Sequence, residues 1–362
     1  MNIVITGGGT GGHMFPGIAV AEKLKDVEPD CGIYFIGTVK GIENRLKDDY
    51  GFKFYAISAS GYLGKNIMNK IKSVLSIIRV IPQISKIYYE VKPDFVLGLG
   101  GYASFMPVLF AKMKGIRTGV MEQNIEPGLS NRILGLLGIM IFASYDETKK
   151  FFRFSEFFAT GNPVRKNILE MKAAVAAPDT GKKELSVFVF GGSQGASSLN
   201  KAVIDMIYSL KDDIKQNLNI YHQTGEKDFE FVNNFYRNSG VKGYEVFKFI
   251  KNIEDYYRKA DIIIARSGAG TLSELAALKK PAILVPYPFA AKGHQMKNAM
   301  YLSKKGCACI IKDNEILAQE LLQTVTEIFY DRSLLAGMFN NLNEFGVKDS
   351  ALDIVHIILN KK

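Results

Sequence analysis

One of the four histidines of this chain stands at the end of a glycine-rich loop. The loop, Gly7-Gly8-Gly9-Thr10-Gly11-Gly12, follows the apolar run at 3–5 and leads directly into His13. A loop between a strand and a helix leaves N–H groups at the helix N-terminus, where the helix dipole attracts anions. The same dipole disfavours the imidazolium form of His13, which leaves a neutral base at pH 7. This histidine suits deprotonation of a sugar hydroxyl; the alternative is a hydrogen bond that only shapes the loop.

A second glycine-rich loop lies in the other half of the chain. It reads Gly191-Gly192-Ser193-Gln194-Gly195-Ala196 and follows the apolar run at 187–190. No acidic residue ends the strand at 33–36, as a dinucleotide site requires, and no Gly-Lys-Ser/Thr tripeptide follows either loop. The pair of loops therefore indicates two phosphate-bearing ligands, or one ligand held between two domains, and favours an enzyme that acts across a cleft.

Two further segments could bind anions. The first is Gly98-Leu99-Gly100-Gly101-Tyr102-Ala103-Ser104, and the second is Arg266-Ser267-Gly268-Ala269-Gly270-Thr271-Leu272-Ser273-Glu274. Backbone N–H groups of the second could hold a diphosphate, and Glu274 could accept two hydrogen bonds from ribose hydroxyls. The alternatives are a packing turn for the first and a capping box from Thr271 to Glu274 for the second. No Asp-x-Asp element is present, so we expect no metal clamp and no cofactor.

Short apolar runs alternate with helical stretches along the whole chain, which is typical of parallel sheets covered by helices on both faces. We predict two doubly wound, Rossmann-like domains, at 1–162 and 163–344, and expect a last helix in 345–362 to pack back on the first. The predicted strands are 3–6, 33–36, 95–97, 118–120 and 139–142 in the first domain, and 186–190, 220–223, 244–247, 262–265, 282–285 and 308–311 in the second.

The composition limits the compartment and the partners. The 362 residues carry a net charge of +10, which favours an acidic partner, and no basic–aromatic stripe indicates nucleic acid. Three cysteines are too few for a disulfide framework, and no apolar run is long enough for a membrane span. The chain starts at once with a strand, so we expect no signal peptide. The composition predicts a cytosolic protein, unless it binds a membrane surface.

Residues 62–92 combine apolar residues at helical spacing with six basic residues and one acidic residue. Such a basic amphipathic segment can lie in the headgroup region of an anionic membrane. From the pattern alone, a helix that packs on its own sheet with a solvated basic face is the favoured alternative. Pro82 is expected to divide the segment into two helices.

In this order the motifs resemble those of the MurG family of peripheral membrane N-acetylglucosaminyltransferases, which convert lipid I to lipid II. The resemblance runs almost end to end and is carried by residues 7–13 with 15–17, 100–102, 122–124, 161–165, 191–196 and 266–274. It implies a GT-B fold with two domains facing a cleft, and localisation at the cytoplasmic face of the bacterial cell membrane. The implied partners are UDP-N-acetylglucosamine, lipid I and an anionic membrane surface through 62–92.

The resemblance also implies roles for individual residues. On the donor these are Thr10, Gly11, Gly12, Asn124, Arg165, Ser193, Ile250, Ala269, Gly270, Thr271, Leu272, Ser273, Glu274 and Gln295, and on the acceptor Gly100, Gly101, Tyr102 and Ser104. Arg165 and Ser193 are expected at the pyrophosphate, the Ile250 backbone at uracil, and Glu274 at the ribose. Asn124 and Gln295 are expected at the transferred sugar. His13 is the candidate general base.

Two departures from the family pattern stand out. Met121 replaces a histidine before Glu-Gln-Asn, and His294 replaces a glutamine before Gln295. We read the chain as an inverting, metal-independent glycosyltransferase whose acceptor is the C4 hydroxyl of the muramyl sugar. The alternatives are an enzyme of the same fold with another acceptor or reaction, such as a diacylglycerol glycosyltransferase or a UDP-N-acetylglucosamine 2-epimerase, and a UDP-sugar-binding protein without turnover.

Overall fold

The computed structural model describes residues 1–8, 11–38, 50–58, 80–171, 175–345 and 348–360. The chain forms two compact units, Met1–Lys166 with Lys348–Lys362, and Asn167–Val347. Each unit is built on a parallel sheet with helices on both faces, which confirms the predicted fold class.

Thirteen strands form in the described part of the chain, and all of their pairings are parallel. The first unit holds β1 Asn2–Thr6, β2 Gly32–Thr38, β3 Lys53–Ile57, β4 Phe95–Gly98, β5 Arg117–Glu122, β6 Met140–Ala143 and β7 Phe157–Ala159, in the order β3-β2-β1-β4-β5-β6-β7. The second holds β8 Leu185–Phe190, β9 Leu218–Gln223, β10 Gly243–Phe247, β11 Ile262–Ala265, β12 Ala282–Leu284 and β13 Cys309–Ile310, in the order β10-β9-β8-β11-β12-β13. In both sheets the strand order reverses beside the first strand, which is where open α/β sheets bind ligands.

Helices connect these strands. Those described up to the unit boundary are α1 Gly11–Val27, α2 Ile81–Val91, α3 Gly101–Met113, α4 Leu129–Leu136 and α5 Lys166–Met171. They continue as α6 Ser197–Ser209, α7 Asp212–Lys215, α8 Phe229–Tyr236, α9 Ile253–Lys259, α10 Ala269–Ala277, α11 His294–Ser303, α12 Leu317–Tyr330, α13 Ser333–Phe345 and α14 Ser350–Leu359. Short 3₁₀ helices form at Asp146–Phe151 and Ala291–Gly293.

The last helix, α14, packs against α1 in the first unit. Its buried residues Ala351, Ile354, Val355 and Ile358 recur at helical spacing and join the core beneath β1. Asp349 caps its N-terminus by accepting a hydrogen bond from the N–H of Leu352 at 3.1 Å. These contacts explain how the chain returns to the first sheet after the second unit is complete.

Every strand predicted from the sequence forms, but β3 and β7 were missed. Both are edge strands of the first sheet, where one side has no neighbour and burial is incomplete. Edge strands lack the continuous apolar run that marks a strand buried on both faces of a parallel sheet. The sequence of β3 shows no clear alternation of polar and apolar residues, and β7 has only three residues.

Candidate active site

His13 lies at the carboxyl edge of the first sheet, where the loops after β1 and β4 meet. The Cβ that a side chain would add at Gly100 would lie 3.4 Å from both Nδ1 and Cε1 of His13. Gly100 and Gly101 have φ values of +92° and +76°, a region that other L residues rarely adopt. The imidazole therefore rests on bare backbone at the point where the strand order reverses.

Leu99 sets the approach of α1 to the loop after β4. A Cβ at Gly7 would lie 2.7 Å from the Leu99 Cβ, and a Cβ at Gly17 would lie 2.5 Å from its Cδ1. Leu99 is fully buried, and its N–H donates to the carbonyl of Thr6 at 2.7 Å. These two glycines allow the helix that carries His13 to pack directly on Leu99.

Gln123, the residue after β5, connects these loops. Its Nε2 donates to the carbonyl of Leu99 at 2.9 Å, and its Oε1 lies 3.1 Å from Nδ1 of His13. The side chain is buried, with 2% of its surface exposed. It was not among the site residues predicted from the sequence, although it directly follows a buried strand and lies in the segment 122–124 that carries part of the resemblance.

A buried carboxylate, Glu122, supports this loop from below. It accepts hydrogen bonds from the Asn131 side chain at 2.8 Å, from the N–H of Gly128 at 3.1 Å, and from both the N–H and the side-chain amide of Asn124. Burial raises the pKa of Glu122, and these donors oppose that rise. Glu122 thus orients Asn124, whose expected role is at the transferred sugar. Met121, the residue that departs from the family pattern, is buried in the core.

Two residues of the first glycine-rich loop were expected at the donor: Thr10 lies outside the described residues, and Gly12 is exposed in the first turn of α1. Of the residues expected at the acceptor, Tyr102 is 39% exposed. Ser104 is fully buried, and its hydroxyl donates to the carbonyl of Gly101 at 3.1 Å. In this structure, therefore, the side chain of Ser104 shapes the loop after β4 and does not face a ligand.

In the second unit, the loops after β8 and β9 touch at a pair of glycines. A Cβ at Gly195 would lie 1.9 Å from the carbonyl oxygen of Thr224, and a Cβ at Gly225 would lie 2.3 Å from that of Gln194. Both glycines also have positive φ, +76° and +81°. No other residue type fits there, so the second glycine-rich loop is held closely against its neighbour.

Gln223, at the end of β9, ties that loop to the segment after β10. Its Nε2 donates to the carbonyl of Gly192 at 3.0 Å, and its Oε1 accepts the N–H of Ile250 at 2.8 Å. The backbone of Ile250 was expected to contact uracil. Because its N–H already donates to Gln223, its carbonyl is the group that can accept the N3–H of a uracil ring.

Helix α10 begins without a side-chain cap. Its N-cap residue is Gly268, and the first-turn residues Ala269, Gly270 and Thr271 are all partly exposed. The alternative of a capping box from Thr271 to Glu274 is wrong, because the helix starts before Thr271. A helix N-terminus without a cap offers its first N–H groups to an anion.

Glu274 lies one turn into α10. Its Oε2 accepts a hydrogen bond from the buried Tyr257 hydroxyl at 2.9 Å. Two neighbouring residues that were also expected at the donor turn their side chains to the fold. Leu272 is buried in the core, and the Ser273 hydroxyl donates back to the carbonyl of Ala269 at 3.0 Å. Tyr257 was missed from the sequence, because nothing in the pattern connects α9 with α10.

Arg266 is committed to the fold. Its guanidinium donates to the carbonyl of Val285 at 3.1 Å, to the Ser198 hydroxyl at 2.8 Å and to the Asp313 carboxylate at 2.6 Å. The side chains of Arg266 and Asp313 are only 7% and 10% exposed. Through these contacts the guanidinium connects the end of β11 with the end of β12, the start of α6 and the segment after β13, so Arg266 braces the second unit.

Other expected donor residues lie near the same edge of the second sheet. Ser193 is exposed in the loop after β8. Gln295 accepts the N–H of Tyr287 at 2.9 Å through its Oε1, while its carbonyl accepts the hydroxyl of Ser267 at 2.9 Å. His294 is partly exposed, with Nδ1 at 2.9 Å from the carbonyl of Ala291.

Arg165 belongs to the first unit, although the boundary expected after residue 162 would place it in the second. Its guanidinium lies 4.8 Å from the centre of the Phe15 ring. The next residue, Lys166, forms an ion pair with Asp26 at 3.1 Å. Because Phe15 and Asp26 are both in α1, these contacts keep the segment after Pro163 with the first sheet.

The segment expected at the membrane is described only from residue 80 onward, and 62–79 lie outside the described residues. Helix α2 starts at Ile81 with Pro82 in its first turn, and it buries Ile84, Ile87, Tyr88 and Val91 against the sheet. Its Tyr89 is 84% exposed. In the described part, therefore, the apolar face of the segment packs on its own domain.

No helix in the described ranges is long and apolar enough to cross a membrane. Within the same ranges, no group of three or more His, Cys, Asp or Glu side chains could hold a metal ion.

Both halves of the chain match family descriptions. Residues 3–137 match the glycosyltransferase family 28 N-terminal domain, and residues 186–354 match the glycosyltransferase family 28 C-terminal domain. The crystal structure of Acinetobacter baumannii MurG is similar with a TM-score of 0.78 and 28% identity, covering 99% of each chain.

Curated relatives are similar over their full length. A UDP-N-acetylglucosamine–N-acetylmuramyl-(pentapeptide) pyrophosphoryl-undecaprenol N-acetylglucosamine transferase from Thermodesulfovibrio yellowstonii is 37% identical and covers 100% of both chains. The transferase of the same name from Geotalea daltonii is 39% identical over 100% of this chain and 98% of its own. The glycine-rich loops, the His13 imidazole and the uncapped start of α10 lie at the carboxyl edges of the two sheets. Together with these features, the similarities show that the chain belongs to the MurG family of N-acetylglucosaminyltransferases.

Proposed function

We propose that this enzyme transfers N-acetylglucosamine from its UDP donor to the C4 hydroxyl of the N-acetylmuramyl sugar on undecaprenyl-diphosphate-linked pentapeptide. This reaction converts lipid I to lipid II in peptidoglycan synthesis. The full-length similarity to transferases of that name supports the substrates. The observation that carries the mechanism is the His13 imidazole, which is held by Gln123 against the bare backbone of Gly100.

His13 is the general base of the proposed mechanism. Its imidazole removes the proton of the C4 hydroxyl while that oxygen attacks the anomeric carbon of the donor. The bond between the anomeric carbon and the phosphate oxygen breaks, and its electron pair leaves with UDP. A single displacement from the face opposite the leaving group inverts the configuration at the anomeric carbon.

The second unit binds the donor and stabilises the leaving group. The first-turn N–H groups of α10, at Ala269, Gly270 and Thr271, point toward an anion that gains charge as the bond breaks. The loop at 191–196, with its exposed Ser193, supplies further polar groups. Glu274, oriented by Tyr257, accepts the ribose hydroxyls.

Three more residues complete the proposed contacts. Arg165 pairs with the donor pyrophosphate, because a guanidinium matches phosphate geometry. Asn124, which is oriented by Glu122, and Gln295 contact the transferred sugar.

We place the enzyme at the cytoplasmic face of the membrane, in peripheral contact through 62–92. Helices α2, α3 and α4 cover one face of the first sheet, and their outer surfaces expose large apolar side chains. These are Tyr89 (84% exposed), Met113 (75%), Leu129 (63%) and Leu136 (64%). With the net charge of +10, such a surface favours anionic lipid. Flotation with anionic vesicles but not with neutral ones is the expected result; equal recovery with both would contradict this placement.

Transfer of radiolabelled N-acetylglucosamine to a lipid I analogue tests the function. Diacylglycerol serves as the competing acceptor, and a reaction without acceptor reveals epimerisation of the donor. Transfer to the lipid I analogue alone, unchanged by a chelator, is the expected result. Product from either comparison arm, or UDP binding without any transfer, would overturn the proposal.

A further inference from the structure

The orientation of the Gln123 amide is determined by its hydrogen-bond partners. The carbonyl of Leu99 can only accept, so the group 2.9 Å from it must be the NH₂ of Gln123. The opposite orientation would bring two carbonyl oxygens together and direct an N–H at His13. The amide oxygen is therefore the atom that faces Nδ1 of His13 at 3.1 Å.

This oxygen determines which imidazole nitrogen carries the proton. An amide oxygen cannot donate, so Nδ1 must be the donor of this hydrogen bond. In the neutral ring the lone pair is then on Nε2. We propose that Gln123 is a positioning residue that holds neutral His13 as the Nδ1–H tautomer, so that Nε2 is the atom that takes the acceptor proton. This inference rests on the proposed function for the role of His13, but the tautomer itself does not.

The chemistry of Gln123 separates this arrangement from a histidine–carboxylate pair. An amide fixes the ring without adding a negative charge and without accepting a proton, so the acceptor proton stays on the imidazole. The carboxylate next to Gln123 in the chain, Glu122 at the end of β5, is directed to Asn124, Gly128 and Asn131. The titratable group of α3 nearest in sequence to the glycines under the ring is the phenol of Tyr102.

The backbone under the ring also restrains it. Gly101, like Gly100, lies against the imidazole. A Cβ at Gly101 would lie 3.9 Å from both Cδ2 and Nε2 of His13. Gln123 is buried and bonded at both ends of its amide. A 180° turn of the ring would lose the hydrogen bond to the amide oxygen, so the tautomer and the ring orientation are fixed together.

Nitrogen chemical shifts of the full-length protein, labelled with ¹⁵N-histidine, test this inference without reference to activity. The chain has four histidines, and the signals of His13 are those that disappear in His13→Gln. At a pH where the ring is neutral, the wild type should show a protonated Nδ1 and an unprotonated Nε2. Gln123→Leu should give a mixture of tautomers, and Gln123→Glu, which keeps an acceptor oxygen, should retain Nδ1–H. The matched control Gln223→Leu should leave the His13 signals unchanged.

Kinetics separate failure of this inference from failure of the proposed function. Gln123→Leu should lower kcat at least about tenfold while the Kd for UDP stays within about twofold, because the base is misoriented and the donor site is intact. Gln123→Glu should move the acidic limb of the kcat/KM profile to higher pH, since a carboxylate favours the imidazolium. A wild-type His13 protonated on Nε2 would overturn the inference even if lipid I is the substrate. The Nδ1–H tautomer in a protein that transfers nothing would retain the inference and reject the function.

Discussion

The two units have the same strand order at their centre but carry different groups at the carboxyl edge. In the first, β2-β1-β4-β5 ends in loops that hold an imidazole. In the second, β9-β8-β11-β12 ends in loops that present the uncapped N-terminus of α10 and the carboxylate of Glu274. Each edge uses a buried glutamine as its brace. Gln123 faces a ring nitrogen, whereas Gln223 joins two backbone segments. In the proposed function, the same scaffold thus serves proton transfer in one unit and anion binding in the other.

The comparison of the two edges also shows which polar groups of the second unit are committed to the fold and which are left for a ligand. Arg266 is the most prominent cation in the second site by sequence, yet it is buried against Asp313 and backbone carbonyls. In the proposed function, the donor phosphate is therefore met by the N-terminus of α10 and by cations other than Arg266, such as Arg165. Because the second site depends on backbone geometry, small changes at its glycines should be as damaging as loss of a side chain.

The largest expected effect is on stability. Arg266→Met leaves the buried carboxylate of Asp313 without its partner, and we expect the second unit to lose about 3–5 kcal/mol of unfolding free energy. Denaturant unfolding measures this loss, and the double variant Arg266→Met/Asp313→Asn should recover part of it. Unchanged stability with weakened UDP binding would show instead that Arg266 serves the ligand.

The glycine contact in the second unit gives the next effect. Gly195→Ala places a methyl group 1.9 Å from the carbonyl oxygen of Thr224 and strains a positive φ, so the loop must move. We expect UDP affinity to fall by at least about 30-fold, or about 2 kcal/mol, measured by calorimetry. Gly337→Ala is the matched control, because nothing lies within 4 Å of the added Cβ. Equal UDP affinities in the two variants would refute the role of this contact.

Protonation of His222, in the second unit, should lower the stability of the fold. His222 is fully buried between Tyr236 and Asn200, and burial lowers its pKa to about 3. Its ordinary pKa is about 6.5, so the unfolded chain binds a proton that the folded chain excludes. The contribution of neutral His222 is complete above pH 6.5 and decreases as the pH falls toward 3.

At pH 5 this contribution should be smaller by about 2 kcal/mol than at neutral pH. Denaturant unfolding of the wild type and of His222→Gln between pH 7 and 5 measures it. The wild type should lose about that much more stability than the variant, and parallel curves would contradict the assignment.

The smallest effect distinguishes two neighbouring tyrosines. Tyr257→Phe removes the hydroxyl that orients Glu274, so UDP affinity should fall by about fivefold, close to 1 kcal/mol. Tyr256→Phe is the matched control, since its hydroxyl donates to Glu245 at 3.0 Å. Titrations with UDP should separate the two, and an equal response would remove Tyr257 from the donor site.

Much of the fold could be predicted from the sequence. The apolar runs of central strands are buried on both faces, which leaves a continuous signal, whereas the edge strands β3 and β7 leave little. A last helix was expected in 345–362, and it forms at Ser350–Leu359 with Ile354, Val355 and Ile358 buried. The boundary between the units was harder to predict. It depends on contacts of Arg165 and Lys166 with α1, and these residues are separated from α1 by most of the sequence of the first unit.

The sequence predicted which loops form the sites, but not the hydrogen bonds that hold these loops together. Glycine runs after strands identified the edges, since backbone approach and positive φ select glycine. The braces Gln123, Gln223 and Tyr257 depend on contacts between distant elements, and one sequence contains no record of those contacts. Ser104 shows the converse, because a hydroxyl in a polar motif turned inward to the backbone.

The central claim, that the first unit supplies the base and the second holds the donor, is tested most directly by His13→Ala. We would measure kcat with saturating lipid I analogue together with the Kd for UDP, using His356→Ala on α14 as the control. The account predicts that kcat falls at least about 100-fold while UDP binding stays within about twofold of wild type. Near-normal kcat at saturating acceptor would contradict it.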